Sequence, residues 1–293
     1  MLRNNMKTFV LMVALGALFL IVGQLVGGNQ GALIALGIAG VMNFAMYFFS
    51  HKIALASTRA KPVTEQELPE VYSIVRSLAA RQDLPMPKIY LIDSPQPNAF
   101  ATGRNPKRAA VAVTTGILEI MDRSELEGVL AHELGHVKNR DILIATIAAT
   151  VAIALTFLVR MAFWTGMGGN RRNNNPAMAV VGILAYILAP LAAMVIQASI
   201  GRSREYEADR TGAAMTGAPL SLARALEKLE EGTARVPMKV NEATAQLFIA
   251  DPLMAFGRRG GGMGGLGRMF ATHPPIPERV HRLTEMAHGA IER

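Results

Sequence analysis

The sequence lacks cysteine altogether and is poor in charged and aromatic residues. None of its 293 residues is cysteine. This absence excludes disulfide bonds, thiolate nucleophiles and cysteine-ligated metal sites, so a metal centre would have to use histidine and carboxylate ligands. Charged residues make up 18% of the chain and aromatic residues 6%, whereas 51% are hydrophobic. This composition excludes a disordered or fibrous chain and favours a membrane protein, with the lipid bilayer as its partner.

The excess of basic residues does not indicate a nucleic-acid partner. The formal net charge is +8, from 30 Lys and Arg residues against 22 Asp and Glu residues. Nucleic-acid binding would require these cations to cluster with a recognisable module. The sequence contains neither RNP-type aromatic motifs nor paired Cys/His fingers. We therefore expect no nucleic-acid partner.

Four uncharged apolar runs are long enough to cross a bilayer, whose hydrocarbon core is about 30 Å thick. They occupy residues 8–27, 31–50, 142–159 and 177–200. The first two runs are separated by a short Gly-Gly-Asn-Gln turn and predict an N-terminal transmembrane hairpin. Two buried helices of a soluble core are the alternative for that pair. Burial against the soluble domain is likewise an alternative for the run 142–159.

Basic residues flank both ends of the predicted hairpin. Arg3 and Lys7 precede it, and the loop between its two runs contains neither Lys nor Arg. Lys52, Arg59 and Lys61 follow it. Because positively charged flanks are retained on the cytoplasmic side of a membrane, both ends of the hairpin are predicted to face the cytoplasm.

Two soluble stretches remain, and each is near the lower size limit for an independent core. We expect them to fold together as one catalytic domain. The predicted organisation is an N-terminal hairpin, a first catalytic part, a second pair of hydrophobic helices and a second catalytic part, at residues 1–51, 52–141, 142–200 and 201–293. The apolar patterns also predict short strands at 88–93 and 109–115.

The most informative motif is His-Glu-Leu-Gly-His, which begins at His132. A capping box formed by Ser124 and Glu127 predicts a helix through this motif. On that helix His132 and His136 lie one turn apart on the same face and can bind one cation, while Glu133 is placed to act on a metal-bound water. With imidazole and carboxylate ligands and no thiolate, zinc is the most economical metal. Two surface histidines beside a glutamate are the alternative interpretation.

A catalytic zinc also needs a third protein ligand and an open fourth position. One source is a further histidine, and four remain: His51, His273, His281 and His288. The other source is a carboxylate. Glu205 and Asp209 are four residues apart on a predicted helix, so one could bind the metal while the other orients an imidazole. The mixed-charge segment that contains both residues could equally be a solvated helix face with Arg/Glu pairs, and the spacing leaves these alternatives open.

Taken together, the motifs resemble those of the M48 metallopeptidase family, and within it the branch of bacterial heat-shock inner-membrane proteases. The resemblance runs essentially end to end and rests on the apolar hairpin, His-Glu-Leu-Gly-His, Arg-Glu-Tyr-Glu-Ala-Asp and His-Pro-Pro-Ile-Pro-Glu-Arg. It implies one zinc ion per chain with Glu205 as third ligand, Glu133 as general base and Asp209 behind a ligand histidine. It further implies that His273 and Arg279 lie beside the cleft and stabilise the oxyanion.

The resemblance implies a mostly helical α+β integral membrane protein, with a gluzincin-like catalytic domain, a small β-sheet and two further hydrophobic helices. The implied activity is a multi-pass inner-membrane endopeptidase that degrades misfolded or damaged membrane proteins from the cytoplasmic side during stress. Four candidate spans rather than seven separate this chain from the prenyl-protein proteases of the family. The alternative is a non-proteolytic four-helix membrane scaffold with a structural zinc site, but such a scaffold would not need the base Glu133.

An extended polypeptide substrate requires backbone partners in the cleft. A segment between Pro97 and Gly103 is predicted as an edge strand that pairs with substrate by strand addition. Its residues are Asn98, Ala99, Phe100 and Ala101. An ordinary loop is the alternative. The sequence makes no prediction of the oligomeric state.

Overall fold

The computed structural model describes residues 2–147, 149–150, 202–240, 242–257 and 274–289. Within these residues the fold is mostly helical and contains one small sheet. The helices are α1 (Leu2–Ser57), α2 (Pro69–Arg81), α3 (Thr115–Ile120), α4 (Arg123–Asn139), α5 (Arg202–Thr216), α6 (Pro219–Arg235), α7 (Glu242–Ala245), α8 (Met254–Gly257) and α9 (Ile276–Ala287). The strands are β1 (Lys61–Pro62), β2 (Lys88–Ile92), β3 (Ala99–Thr102) and β4 (Ala110–Thr114).

The sheet has four strands in the order β1-β2-β4-β3. Strands β2 and β4 are parallel, with Ile89 opposite Val111, and β3 runs antiparallel to β4, with Phe100 opposite Ala112. The two strands predicted at 88–93 and 109–115 are thus present as neighbours. The predicted edge strand is also present, as β3, and it forms the edge of the sheet beside the helix that carries the His-Glu-Leu-Gly-His motif.

Both faces of the sheet are covered, so its strands are apolar on both sides rather than alternating. Val111 and Val113 of β4 pack into a large core with helices α2, α4, α6 and α9. Ala110 and Ala112 point to the opposite face, where the end of α1 packs together with Phe248. Burial of these apolar side chains stabilises the domain by roughly 25 cal/mol for each Å² removed from water.

Helix α4 begins two residues earlier than the sequence pattern predicts, at Arg123 rather than at Glu125. The predicted capping box of Ser124 and Glu127 is wrong: the N-cap is Asp122, whose carboxylate accepts hydrogen bonds from the backbone N–H groups of Ser124 and Glu125. The Glu125 carboxylate in turn accepts from the Asp122 N–H at 3.0 Å and from the Lys228 ammonium at 2.6 Å. Two overlapping capping patterns are present, and the cation on α6 favours the earlier one.

Helix α1 is bent at the predicted turn. Its backbone is non-helical at Gly27 and Gly28, where Gly28 adopts a φ of +57°, a value that glycine tolerates without a steric cost. The Asn43 side-chain amide donates to the Met12 carbonyl at 3.2 Å, so the two arms contact each other.

The second arm, Gly27–Ser57, is the one helix among the described residues that is long and apolar enough to cross a membrane. It exposes many large apolar side chains, which water would disfavour and lipid accommodates: Leu33, Ile34, Leu36, Ile38, Val41, Phe44 and Phe49. This arm contains the predicted span 31–50, while the span 8–27 stays a prediction. The predicted spans 142–159 and 177–200 lie outside the described residues, apart from the helical residues 142–147 and 149–150.

Candidate metal centre

Helices α4 and α5 bring three potential metal ligands together. The Nε2 atoms of His132 and His136 lie 3.1 Å apart, one turn apart on α4. The Glu205 carboxylate of α5 approaches them, with its oxygens 3.8 Å from the Nε2 of His132 and 3.7 Å from the Nε2 of His136. The candidate ligand atoms of the three residues all lie within 4.8 Å of one another. The structure thus brings the two predicted histidines and the predicted carboxylate to one point.

This convergence depends on two glycines that let the helices approach closely. A Cβ atom at Gly212 of α5 would lie 2.8 Å from the backbone nitrogen of His132. A Cβ atom at Gly135 of α4 would lie 3.1 Å from the carbonyl oxygen of Ala208. Side chains at these positions would push the helices apart and separate Glu205 from the histidines. This role of the glycines was not predicted from the sequence, although the small residues Gly135, Ala208 and Gly212 are the signal that could have indicated a close helix contact.

Asp209 holds His132 from behind. The Nδ1 atom of His132 lies 2.8 Å from an Asp209 oxygen. Since a carboxylate only accepts hydrogen bonds, Nδ1 carries the proton and the lone pair of Nε2 is left for the metal. Burial lowers the pKa of His132 to about 4, although Asp209 acts in the opposite direction. Burial would raise the pKa of Asp209, but Arg279 and His132 outweigh it and lower that pKa to about 2.

Arg279 contacts the carboxylate that holds His132. Its side chain is fully buried, and its Nε and Nη2 atoms donate to the two oxygens of Asp209 at 2.8 and 2.7 Å. Nη1 donates to the carbonyl of Ile249 at 3.2 Å. The guanidinium therefore anchors Asp209 behind His132, and its Nη1 atom also lies 4.0 Å from a Glu205 oxygen. Stabilisation of an oxyanion by Arg279 stays a prediction. His273, the partner expected beside the cleft, lies outside the described residues.

A second carboxylate, which sequence analysis missed, holds the other histidine. The Nδ1 atom of His136 lies 3.1 and 3.2 Å from the two oxygens of Asp141. Asp141 is placed there because α4 ends at Asn139 and Arg140 adopts a left-handed conformation, with φ of 55°, which turns the chain back over the last helical turn. Arg204 of α5 completes the arrangement by donating from Nε to Asp141 at 3.1 Å. Each histidine is thus supported by an Asp–Arg pair.

The carboxylates around His136 favour its protonated form in the absence of metal. Burial alone would lower the pKa of this imidazole. The negative charge and hydrogen bond of Asp141, together with the charges of Glu205 and Glu133, outweigh burial and raise the pKa to about 9. The two histidines therefore differ in charge near neutral pH, because His132 stays neutral while His136 carries a proton.

Glu133 faces a small cavity beside these ligands. Its side chain is buried, and it lines the cavity together with His136, Glu205, Arg204 and Ala101. The cavity volume is about 30 Å³, which corresponds to one or two water molecules. Because α4 turns by 100° per residue, Glu133 stands beside the ligand face and not on it. The cavity therefore places a carboxylate next to the space that a reacting water would occupy.

The predicted substrate strand is partly closed by the protein itself. The backbone N–H of Ile249 donates to the Ala99 carbonyl at 3.0 Å, and the Asn98 side chain donates to the Ala250 carbonyl at 2.8 Å. The Ile249 contact occupies the outer edge of β3 at Ala99, while the backbone carbonyl of Asn98 accepts from Thr114 on the side of β4, so neither residue offers its backbone to a substrate. Phe100 is buried against Phe248. Ala101, whose backbone groups face the same way as those of Ala99, is the one residue of the four that lines the cavity.

The donor set fits a tetrahedral zinc ion. Imidazole nitrogens bound to zinc at about 2.0–2.1 Å lie about 3.3 Å from each other in tetrahedral geometry, close to the 3.1 Å between the two Nε2 atoms. The carboxylate distances of 3.7 and 3.8 Å are slightly longer than a bound ligand requires. Two imidazoles held by carboxylates plus one glutamate leave a fourth position for water, as in catalytic zinc sites.

Comparisons with known proteins agree with this geometry. The model of peptidase family M48 matches residues 65–287. A protein of Thermodesulfovibrio yellowstonii named Protease HtpX homolog is 53% identical over 286 residues, which is 97% of this chain and 99% of the relative. A protein of the same name from Pelotomaculum thermopropionicum is 48% identical, with 97% and 99% covered. One from Burkholderia thailandensis is 49% identical, with 97% of each chain covered.

A solved structure has a similar fold. The crystal structure of S. mikatae Ste24p matches with a TM-score of 0.50 and 20% sequence identity, and the match covers 96% of this chain and 66% of that chain. At this identity the likeness concerns the fold alone. The family model and the near-full-length relatives carry the assignment: the chain belongs to peptidase family M48 and is a membrane metalloprotease.

Proposed function

We propose that this protein is a zinc-dependent endopeptidase that cleaves misfolded or damaged membrane proteins from the cytoplasmic side of the bacterial inner membrane, as part of protein quality control under stress. The observation that carries the proposal is the convergence of His132, His136 and Glu205 beside a cavity lined by Glu133. Three ligands with an adjoining base are what metal-assisted hydrolysis requires, whereas a structural site needs no base.

The chain's own residues divide the chemistry among them. Zinc at this site supplies the positive charge that lowers the pKa of water and polarises a carbonyl group. Glu133 accepts the proton of the attacking water as the oxygen adds to the carbonyl carbon, and it returns that proton to the leaving amine nitrogen when the C–N bond breaks. Asp209 and Asp141 keep the two imidazoles in the tautomer that leaves Nε2 for the metal.

The proposed substrate pool and orientation rest on the hairpin and on the similarity to proteins named as proteases. The exposed apolar surface of Gly27–Ser57 supports insertion into lipid, and an inserted helix would bring the catalytic domain next to other membrane proteins. Lys52 lies in the last part of this helix and Arg59 and Lys61 follow it, and such basic flanks favour the cytoplasmic side. A catalytic domain on that side would meet the cytoplasmic segments of damaged membrane proteins.

Activity and orientation can be tested together in sealed membrane vesicles. Fluorescent casein added to inside-out vesicles should be cleaved in a zinc-dependent way, because the cytoplasmic face is then outside. Right-side-out vesicles should show no cleavage until detergent opens them. Vesicles that contain Glu133→Gln at the same level serve as the control. Cleavage by intact right-side-out vesicles alone would reverse the orientation, and no cleavage in opened vesicles would favour a non-proteolytic scaffold.

Zinc uptake by the metal-free protein should release a proton from His136. With a pKa of about 9, this imidazole is protonated at pH 7.5, while His132, with a pKa of about 4, is neutral. Zinc requires the lone pairs of both Nε2 atoms, so the proton has to leave. Affinity should therefore rise about tenfold per pH unit up to about pH 9 and level off above it.

The number of protons can be measured by calorimetry of zinc binding at pH 7.5 in two buffers with different ionisation enthalpies. We expect about one proton per zinc ion from this site. His281→Asn, which changes a histidine on the surface of α9, should give the same number. Binding without proton release would show that His136 is neutral before zinc arrives.

A further inference from the structure

Arg204 brings a cation to the cavity beside the candidate metal ligands, and its contacts with Asp141 use only two of its three guanidinium nitrogens. The side chain is buried and lines the cavity beside Glu133 and Glu205. Its Nε atom donates to the Asp141 carboxylate at 3.1 Å, and Nη2 donates to the Asp141 carbonyl at 3.3 Å. The third nitrogen, Nη1, is buried and has no hydrogen-bond partner within the part of the chain that the structure describes.

A buried guanidinium nitrogen without an acceptor is unfavourable, because its N–H groups have lost water and gained nothing in exchange. The fork of an arginine is planar and rigid, so the two bonds to Asp141 also fix the direction of Nη1. The group is therefore held in place before any substrate arrives. An acceptor that enters the cavity would complete its hydrogen bonding.

We propose that Arg204 is a catalytic residue whose Nη1 group donates a hydrogen bond to the oxygen of the scissile carbonyl as that oxygen gains negative charge. The ligand class is the carbonyl of a peptide bond, and the proposal rests on the proposed peptidase function. A fixed cation in a buried site, shielded from bulk water, stabilises such a negatively charged oxygen more than it stabilises the neutral carbonyl. In contrast to Arg204, all three nitrogens of Arg279 already donate hydrogen bonds, two to Asp209 and one to the Ile249 carbonyl.

The test has to separate contact with the substrate from support of His136 through Asp141. Arg204→Gln is compared with wild type in zinc-loaded, detergent-solubilised full-length protein, and zinc content and thermal stability are measured for each. At saturating zinc, which compensates for weaker support of His136, we expect the kcat for a fluorogenic peptide to fall by about 10²- to 10³-fold, with KM nearly unchanged. Arg210→Gln removes the same charge from the exposed face of α5 and should have wild-type kinetics.

A tetrahedral inhibitor gives a readout that a purely structural role would not move. A peptide phosphonamidate carries an anionic oxygen where the scissile carbonyl oxygen stands. The affinity for this inhibitor should fall by about 10²- to 10³-fold in Arg204→Gln. The corresponding peptide, which has a neutral carbonyl, should bind equally well to Glu133→Gln and to the double variant that also carries Arg204→Gln. Zinc-loaded Arg204→Gln with wild-type kcat and inhibitor affinity overturns the proposal.

Arg204→Lys keeps the test decisive if the glutamine variant does not fold. Lysine retains a positive charge but loses the planar fork, so we expect zinc to stay bound and inhibitor affinity to fall by about tenfold. Unchanged inhibitor affinity in that variant contradicts the proposal. Failure of wild type itself to hydrolyse the peptide is a different outcome, because it refutes the proposed peptidase function and with it this role of Arg204.

Discussion

Zinc is expected to leave the protein when Glu205 is replaced by glutamine. The carboxylate lies 3.7 and 3.8 Å from the two Nε2 atoms and supplies the one negative charge in the proposed ligand set. Glutamine keeps the shape and the position on α5 but removes that charge. Because changes to residues that only support metal ligands already cost 10- to 100-fold in affinity, loss of a ligand should cost more than about 100-fold.

The measurement is competition for zinc against a chelator of known affinity, with metal content determined on the purified protein. Glu207→Gln is the matched control, because it makes the same chemical change two residues further along α5, where the side chain is exposed and paired with Arg210. That control should retain zinc as wild type does. Equal zinc affinity in wild type and Glu205→Gln would assign the third ligand to another residue, with His273 the first candidate.

Replacing Glu133 by glutamine should greatly slow hydrolysis while leaving zinc in place. The amide cannot accept the proton of the attacking water, and general-base catalysis contributes about 10²- to 10⁴-fold. Since Glu133 stands beside the two ligand histidines on α4 and not among them, zinc affinity should stay near that of wild type. The expected loss is therefore in kcat, by a factor of at least about 10².

A fluorogenic peptide assay with parallel metal analysis distinguishes these effects. Glu127→Gln lies on the same helix and pairs with Arg81 at the surface, so its kcat should equal that of wild type. If Glu133→Gln retained full activity, the base would have to be sought elsewhere. If it lost zinc together with activity, Glu133 would act as a ligand.

Much of the site is predictable from the sequence because it follows from one helix. His132, Glu133 and His136 occupy positions fixed by the period of α4, so their relative placement required no tertiary information. The position of Glu205 could not be predicted in this way, because it lies 69 residues beyond His136 and its mixed-charge segment also fits a solvated helix face. Its assignment came from the family resemblance, and the structure shows what the spacing could not: the close approach of α5 to α4.

Other parts of the site depend on packing that no local pattern carries. Asp141 reaches His136 only because Arg140 adopts a left-handed conformation, which sequence patterns rarely predict outside glycine and asparagine. Arg279 is buried because α9 packs against α6 and α5, and its hydrogen-bond partner there is Asp209 of α5. The capping box that forms on α4 is stabilised by Lys228, which lies on another helix and pairs with Glu125.

The same contrast holds for the sheet. The apolar runs predicted β2 and β4 because strands covered on both faces are continuous in hydrophobicity. Ala99 was predicted to offer its backbone to a substrate, but the residues that cover it lie 150 positions further along the chain, at Ile249 and Ala250. An edge strand can thus be identified from sequence, whereas its accessibility depends on a distant segment.

X-ray absorption at the zinc edge directly tests the claim that two histidines and one glutamate hold a catalytic zinc. We predict a spectrum with two imidazole ligands at about 2.0–2.1 Å, oxygen ligands at about 2.0–2.2 Å, and no sulfur. Glu205→Gln should lose this signal, whereas Glu133→Gln should keep it. A spectrum with three imidazoles, or a purified active protein without zinc, would contradict the claim.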